Sequence, residues 1–377
     1  MLALLAFRDK VIWPEGFRAR ESALLILLFL WMILCSFFSV HKGHSAEFLL
    51  DFLKVAIAYF SMIAFLSSRR DLRNFAKTML LAAGTLGLTC LLNGVSALRS
   101  SVGTMYDPND ISMLFITCFP FVLWCLRKEK RVYKAISAIT VAGAGIGMVS
   151  AQSRMGFLSL ILLGVLYVFR HGAPNKGILK RLVFVGGFAL FFLTVASPAY
   201  WDRMSTIFEE GATGSGRTVV WKRGLKMVAE NPIFGVGPGA FASAYGRKLR
   251  SGEFELVGDS HYDRGWKTAH NTYLLIWAEV GLPGLLIYVS MISVCLRGLW
   301  KMRGIRDENF PSVSEMAITI EISFVLFLFC AFFISEASSH LFVALLASGV
   351  LLRKIVYVDK GEMKEETASN VCKGVAT

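Results

Sequence analysis

The stretch HNTYLLIWAEVGLPGLLIY (residues 270–288) places a histidine and an asparagine directly before an apolar run. An apolar run of about 20 residues is long enough to cross the hydrocarbon core of a bilayer as one helix. Glu279 lies about two turns inside the run. A carboxylate inside a span is costly unless it faces protein or water, so Glu279 joins His270 as a candidate functional residue. The stretch therefore predicts a membrane-spanning helix with one ionisable group at its entrance and another within it.

The whole chain has the composition of an integral membrane protein. Its 377 residues are 55% apolar and their mean hydropathy is +0.57, which is higher than soluble domains reach. We predict an all-α polytopic integral membrane protein with about ten transmembrane helices and one long outer loop that contains short helices. The predicted spans lie approximately at residues 22–40, 48–67, 74–93, 109–126, 132–152, 155–170, 181–198, 272–296, 316–335 and 338–356.

The formal charge of +13 has a topological explanation. Basic residues are concentrated in alternate loops, such as RKEKRVYK (127–134) and FRHGAPNKGILKR (169–181), whereas the loops between them carry few. Cytoplasmic loops hold the excess of lysine and arginine in membrane proteins. Both termini are therefore predicted to be cytoplasmic, and the lipid bilayer, not nucleic acid, is the predicted partner of this basic chain.

The same rule divides the chain into regions. Residues 1–198 form the N-terminal transmembrane helices, and residues 199–271 form the long loop on the outer side. Residues 272–356 form the C-terminal transmembrane helices, and residues 357–377 form a polar cytoplasmic tail that is expected to be disordered. A long polar loop on the non-cytoplasmic face is the expected place for the chemistry.

Within that loop, GSGRTVVWKRGLKMVAENPIFGVGPGAF (214–241) predicts a helix that ends before its Asn-Pro pair. Trp221, Leu225 and Val228 are spaced to share one apolar face, which predicts an amphipathic helix lying on the membrane surface. Arg217 stands at its N-terminus, where exposed N–H groups and a guanidinium together favour a phosphate. The alternative interpretation of Arg217 is a surface arginine near lipid headgroups.

Two further candidates stand at predicted outer helix ends. Arg154, in SAQSRMG (150–156), is either an interface anchor or a ligand of an anionic substrate. Asn109, in YDPND (106–110), either caps the helix that follows or contacts substrate. Glu279 is expected to orient either an arginine or the local backbone.

Metal and nucleotide sites are not predicted. The segment GDSHYDRGW (258–266) holds Asp259, His261 and Asp263, but no second histidine or cysteine stands at ligand spacing. GVGPG (235–239) lacks the preceding strand and the lysine-serine/threonine pair of a phosphate-binding loop, so no cofactor is expected. The seven cysteines lie mostly in apolar runs without a CxxC pair and are expected to be buried apolar side chains.

Taken together, SRMG (153–156), the 214–241 segment and HNTYLLIWAEVGLPG (270–284) resemble the O-antigen ligase and polymerase superfamily of bacterial envelope enzymes. The resemblance covers about residues 106–290. It implies a metal-independent glycosyltransferase of the inner membrane with its active site on the periplasmic side. The implied donor is a glycan on undecaprenyl pyrophosphate. The implied acceptor is a hydroxyl of lipid A-core, of another lipid-linked glycan or of a protein.

The resemblance also implies roles for particular residues. It makes Arg217 and His270 the functional pair and Arg154 a further substrate-binding residue. Chemistry agrees with these roles, because arginine can neutralise a leaving pyrophosphate and a neutral imidazole can accept the proton of the acceptor hydroxyl. Direct attack by that hydroxyl predicts inversion at the anomeric carbon. Arg223 and Glu279, together with Asn109, are the remaining candidate contacts to pyrophosphate or glycan.

Transfer to lipid A-core, the ligase reaction, is the leading prediction. Polymerisation of O-antigen or exopolysaccharide is the alternative within the same superfamily. A transporter or flippase for lipid-linked sugars is the alternative from another class, since it would also need many spans and an intramembrane carboxylate. Such a transporter is expected to show paired broken helices in two halves of the chain, and it does not require an arginine and a histidine in a long outer loop.

Overall fold

The computed structural model describes residues 19–101, 108–170, 177–205, 217–256, 265–305 and 313–356. Within these ranges the chain forms thirteen α-helices and no strand. In chain order the helices are α1 (Arg20–Phe37), α2 (Lys42–Phe65), α3 (Arg69–Ser101), α4 (Pro108–Lys128), α5 (Arg131–Ala151), α6 (Arg154–Arg170), α7 (Ile178–Val195), α8 (Pro198–Ser205), α9 (Arg217–Glu230), α10 (Phe241–Arg250), α11 (Thr272–Met302), α12 (Val313–Cys330) and α13 (340–356).

The architecture confirms a multi-pass membrane protein. In the described part of the chain, α1, α2, α4, α5, α7, α11 and α12 are long and apolar enough to cross a membrane, and α6 is a shorter apolar helix. Each of the ten predicted spans coincides with a helix, namely α1–α7 and α11–α13. The loop between α7 and α11 contains the short helices α8, α9 and α10, as predicted.

The end of one predicted span is wrong. The span predicted at 316–335 ends early, because the residues after α12 bond to the start of α11 instead of continuing the helix. Thr272 N donates to Ala331 O (2.8 Å), and Thr272 Oγ1 donates to Ile334 O (2.8 Å). Glu336 N in turn donates to Thr272 Oγ1 (2.9 Å). The carbonyl oxygens of Ala331 and Ile334 accept hydrogen bonds from Thr272, so they are satisfied without a further turn of α12.

The bundle is built around α4. In the apolar window of α4, 78% of the residues are buried, and the helix contacts α3, α5, α6 and α12. Its buried side chains include the large aromatics Phe115, Phe121 and Trp124. In α7 the corresponding share is only 6%, so α7 stands at the edge of the bundle with most of its surface facing outward.

The outer loop enters the membrane part of the protein through a break in α11. Gly281 interrupts the helix with φ 68° and ψ −174°, a conformation that favours glycine. A Cβ on Gly281 would lie 1.9 Å from the carbonyl oxygen of Ile233, which belongs to the loop segment 231–240. Val236 N of that segment donates to Ala278 O (2.8 Å), a carbonyl that the break has freed. The outer loop is therefore joined to α11 by its backbone.

Other carbonyls at the break are satisfied in the same way. Gly237 N donates to Glu279 O (2.9 Å), and the indole Nε1 of Trp31 in α1 donates to Val280 O (2.8 Å). These bonds explain how a broken helix is tolerated at membrane depth, since the freed backbone groups are paired within the protein. They also fix the position of the outer loop over the outer end of α11.

Candidate functional site

His270 lies directly before α11 and is held on both sides. On its N-terminal side, the indole Nε1 of Trp221 in α9 donates to Ala269 O (2.9 Å). On its C-terminal side, Thr272 is bonded to the segment 331–336, as described above. Thr268 Oγ1 adds a bond to Ser335 Oγ (2.8 Å). The backbone of His270 is thus clamped between α9 and the α12–α13 connection.

The conformation of His270 is itself unusual. Its φ is 46°, so it is one of two described non-glycine residues in the left-handed region, the other being Gln152. For residues other than glycine and asparagine this conformation costs roughly 1–2 kcal/mol. Such strain persists only where surrounding contacts impose it, and it is concentrated at functional sites. The imidazole itself is half-buried.

Arg217 lies in the same place. It is the first residue of α9, one turn before Trp221, so both side chains project from the same side of the helix. The guanidinium carbon of Arg217 is 6.0 Å from the ring centre of Phe333, a cation–π contact. Phe333 belongs to the segment 331–336 that is bonded to Thr272. Arg217 and His270 are therefore both held next to the N-terminus of α11 by these contacts, and their chemical roles stay predictions.

Arg154 begins α6 next to the start of α4. Ser153 Oγ donates to Asn109 Oδ1 (2.7 Å) and accepts from Gly156 N (3.1 Å), so it caps α6 while it holds Asn109. Five residues along α6, Ser159 Oγ is 3.3 Å from Cys330 Sγ, at the outer end of α12. Since α12 continues directly into the segment that carries Phe333, the start of α6 borders the region of Arg217 and His270.

Glu279 contacts the backbone of the outer loop. The residue is 4% exposed, its Oε2 accepts from Gly239 N (2.9 Å) and its Oε1 accepts from Phe241 N (3.1 Å). Both N–H groups lie at the start of α10, where a helix leaves its donors unpaired and favours a carboxylate. Of the two uses predicted for Glu279, the structure shows the second, orientation of the local backbone.

The side chain of Arg223 is buried inside the outer loop. It lies outside the predicted apolar face of α9 but is only 6% exposed, whereas Leu225 of that face is 48% exposed. The Arg223 Nη1 donates to Tyr245 Oη (2.6 Å) and its Nη2 donates to Glu255 O (2.6 Å). Its guanidinium also lies 5.5 Å from the ring centre of Phe254. The predicted apolar face is correct for Trp221 and Val228 and wrong for Leu225, and α10 with the turn after it covers the side that carries Arg223.

Comparison with known proteins bears on the same residues. Residues 138–289 match the protein family described as O-antigen ligase. This stretch of the chain is similar to an O-antigen ligase domain. It begins within α5, ends within α11 and contains Arg154, Arg217 and His270. The resemblance found in the sequence motifs is thereby confirmed.

Two relatives extend the similarity. A ComP-specific O-oligosaccharyltransferase of Acinetobacter baylyi is 26% identical over 206 residues, which are 52% of this chain and 34% of that protein. The exopolysaccharide production protein ExoQ of Rhizobium meliloti is 24% identical over 275 residues, which are 66% of this chain and 60% of ExoQ. The chain thus covers less than two thirds of the length of either relative. The similarity to an O-antigen ligase domain supports a membrane glycosyltransferase of ligase or polymerase type.

One basic residue close to Arg154 in the structure was not among the candidates predicted from the sequence. Arg203, on α8, donates from Nε to Gln152 O (2.9 Å), two residues before Arg154. An isolated arginine in a loop has no distinctive sequence signal. The only hint was its position shortly after a span, within a Tyr-Trp-Asp-Arg run at 200–203. The segment 331–336 was also missed, since it was assigned to a span.

Some predictions fall outside the described residues. These are the three residues considered as metal ligands, Asp259, His261 and Asp263, and the tail 357–377. Within the described ranges, no group of three or more His, Cys, Asp or Glu side chains is placed to hold a metal ion. The six cysteines in those ranges are buried and free, which confirms their interpretation as apolar side chains, and Cys372 lies beyond them.

Proposed function

We propose that this chain transfers a glycan from undecaprenyl pyrophosphate to an acceptor hydroxyl at the periplasmic face of the inner membrane, with lipid A-core as the acceptor. The observation that supports the proposal is that contacts of Trp221 with Ala269 and of Arg217 with Phe333 hold Arg217 and His270 near the N-terminus of α11. Both residues lie in the stretch that is similar to an O-antigen ligase domain. The basic-loop rule assigns this end of α11 to the periplasm, where nucleotide sugars are absent and a lipid-linked glycan is the energised donor.

In the proposed reaction, arginine binds the leaving pyrophosphate and histidine acts as the general base. Arg217, with Arg154 nearby, binds the pyrophosphate by charge-assisted hydrogen bonds and stabilises the charge that develops on it. His270 accepts the proton of the acceptor hydroxyl. The hydroxyl oxygen bonds to the anomeric carbon as the bond from that carbon to the pyrophosphate oxygen breaks. The configuration inverts, undecaprenyl pyrophosphate leaves, and no metal ion is required.

In this proposal Arg223, Glu279 and Asn109 position other residues and do not contact the substrate. Arg223 joins α9 to α10, and Glu279 holds the start of α10 on α11, so both position the loop that carries Arg217. Asn109 holds Ser153 and with it the first turn of α6, which carries Arg154. These assignments replace the direct substrate contacts that the sequence suggested for Arg223, Glu279 and Asn109.

The test uses His270→Asn in the purified protein, reconstituted in liposomes with a lipid-linked glycan and lipid A-core. Asparagine tolerates the left-handed conformation, so the variant keeps the backbone while it removes the base. We expect transfer to fall by about a hundredfold or more, which is the range of a lost general base. Gln152→Asn, at the other described left-handed position, is the matched control. Wild-type turnover in a folded His270→Asn protein would refute the base assignment.

A polymerase is the second candidate, and the similarity to ExoQ over 66% of this chain favours it. Separate assays with lipid A-core and with a second lipid-linked glycan distinguish the two. Product on lipid A-core alone supports a ligase, and a ladder of lengthening lipid-linked glycans supports a polymerase. A transporter is less well supported, because the break in α11 is occupied by the 231–240 backbone, whereas the broken helices of transporters bind substrate there.

A further inference from the structure

An apolar cavity of about 560 Å³ lies between α4, α6 and α7 in the membrane part of the protein. It lies along the loosely packed α7, whose apolar window is only 6% buried. Aromatic contacts join α7 to its neighbours on either side of the space, between Tyr167 and Phe184 (5.8 Å) and between Phe119 and Phe188 (5.6 Å). The cavity is therefore a space between helices that the protein holds open.

The shape of the cavity suits a long chain. On α6 it is lined from Phe157 near the outer end to Phe169 near the cytoplasmic end. Twelve helical steps correspond to about 18 Å, which is more than half of a hydrocarbon core of about 30 Å. A ligand that fills this space is elongated, entirely apolar over its length and oriented along the membrane normal.

The outer end of the cavity leads to cations. Trp201 of α8 lines that end and packs edge-on against Phe157 (6.0 Å). Arg154 is three residues before Phe157, so the two side chains project from the same side of α6. Arg203 follows Trp201 by two residues and is bonded to Gln152 O, beside the start of α6. Arg203, by its bond to Gln152 O, and Arg154, by its place in the first turn of α6, thus lie at the end of the cavity where an apolar tail would meet its phosphate.

We propose that this cavity binds the polyprenyl chain of the donor and that Arg203, together with Arg154, binds the phosphate next to that chain. The proposal rests on the proposed function. It makes Arg203 a substrate-binding residue. The start of α6 is connected to the proposed reacting centre, because Ser159 of α6 contacts Cys330 at the end of α12, and the segment after α12 carries Phe333, which contacts Arg217. A phosphate held by Arg203 leaves the second phosphate and the anomeric carbon directed toward Arg217.

A single polyprenyl chain fits these observations better than a phospholipid does. The cavity is one elongated space, whereas a phospholipid has two acyl chains joined at a glycerol. The cations lie at one end of the space on the same side as the reacting centre. Apolar ligands gain little by leaving lipid for protein, since lipid tails are as apolar as leucine. Selection therefore depends on shape along the chain and on charge at its end.

Gly164 gives the sharpest test of the cavity. It lines the space, and a Cβ there would meet Val185 Cγ1 at 3.4 Å, an ordinary contact. A leucine side chain at this position would extend into the space, so Gly164→Leu fills the cavity. Gly187→Leu is the matched control, because that glycine of α7 lies outside the cavity lining and a Cβ added to it would meet no atom within 4 Å.

The assay compares two donors that carry the same glycan pyrophosphate, one on undecaprenol and one on a two-isoprene alcohol. We expect Gly164→Leu to raise KM for the long-chain donor by at least about tenfold. It should leave KM for the short-chain donor within about twofold, which also shows that the variant is folded. Gly187→Leu should behave as wild type with both donors. An unchanged long-chain KM in Gly164→Leu would overturn the assignment of the cavity.

Arg203→Ala tests the phosphate contact. We expect KM to rise by about tenfold or more for both donors, since both carry the phosphate, and Arg203→Lys should recover only part of the loss. Arg70→Ala, an exposed arginine at the start of α3, is the control and should have no effect. A wild-type KM in Arg203→Ala with both donors would overturn the role of Arg203.

A binding measurement separates this proposal from the proposed function. Undecaprenyl phosphate and phosphatidylglycerol are added to the detergent-solubilised protein, and bound lipid is counted by native mass spectrometry. We expect wild type to retain undecaprenyl phosphate in excess phosphatidylglycerol and Gly164→Leu to lose it. Equal retention of both lipids would overturn the proposal and assign the cavity to phospholipid. Selective retention by a wild type that transfers no glycan would support the lipid site while it refuted the proposed function.

Discussion

Glu279 offers the clearest distinction between an anchoring and a substrate-binding carboxylate. Its two oxygens accept from Gly239 N and Phe241 N, and the residue is 4% exposed. Glu279→Ala leaves both donors without this acceptor. An unpaired buried donor costs about 1–3 kcal/mol, so the loss for two donors is about 2–6 kcal/mol. Glu279→Gln keeps one amide oxygen and should cost about half as much.

The loss of stability in the Glu279 variants should affect the outer loop before it affects the membrane bundle. The bonds from Glu279 hold the start of α10, so their loss should loosen the outer loop while the membrane bundle stays assembled. Hydrogen exchange measured by mass spectrometry should show faster exchange in peptides that cover 237–245, with α4 unchanged. Limited proteolysis should cut the outer loop at lower protease concentration. Transfer should decline in proportion to this loosening, because Arg217 is carried by the same loop.

The refuting result is specific. If Glu279→Gln abolished transfer while exchange and proteolysis of the outer loop stayed at wild-type levels, Glu279 would act on the substrate and the anchoring argument would be wrong. Glu230→Gln provides a matched control for removal of a carboxylate charge from the same loop. Its partner Lys248 also pairs with Glu253, so the ammonium stays paired and the change should have little effect on exchange or transfer.

Three further predictions follow from the same structure. Arg217→Lys should lower turnover by about tenfold to a thousandfold, because an ammonium cannot replace a planar guanidinium at a pyrophosphate, and wild-type rates in the liposome assay would exclude Arg217 from the site. Gly281→Ala should destabilise the protein by about 2 kcal/mol or more, because its Cβ would lie 1.9 Å from Ile233 O. A Tm equal to that of Gly186→Ala, where the space is open, would contradict that view of the break. Treatment with EDTA should leave transfer unchanged, and a loss that magnesium or manganese restores would return attention to Asp259 and His261.

The sequence was sufficient for the parts of the structure that depend on local composition. Each predicted span coincides with a helix, because a run of apolar residues must pair its backbone within itself to lie in a bilayer. The helix predicted from residue 217 starts at Arg217, since the Gly-Ser-Gly run before it and the Asn-Pro pair after it act within a few residues. The placement of His270 before a helix followed from the same kind of local signal.

Tertiary structure decided which side chains meet. Arg223 and Leu225 differ by two positions on one helix, and only the packing of α10 determines that the arginine is buried and the leucine exposed. Trp221 finds its acceptor 48 residues away at Ala269, a distance along the chain that periodicity cannot detect.

The broken helix and the cavity also depend on contacts between distant residues, which the sequence pattern does not reveal. The stretch that holds Gly281 was predicted as one membrane-spanning helix, but the helix is broken there, and the backbone of a segment assigned to the outer loop fills the break. The space between α4, α6 and α7 depends on how loosely α7 packs, although α7 is as apolar as its neighbours. Hydropathy determines that a helix enters the membrane. The contacts between helices determine where it stands and what space it leaves, because those contacts join residues far apart in sequence.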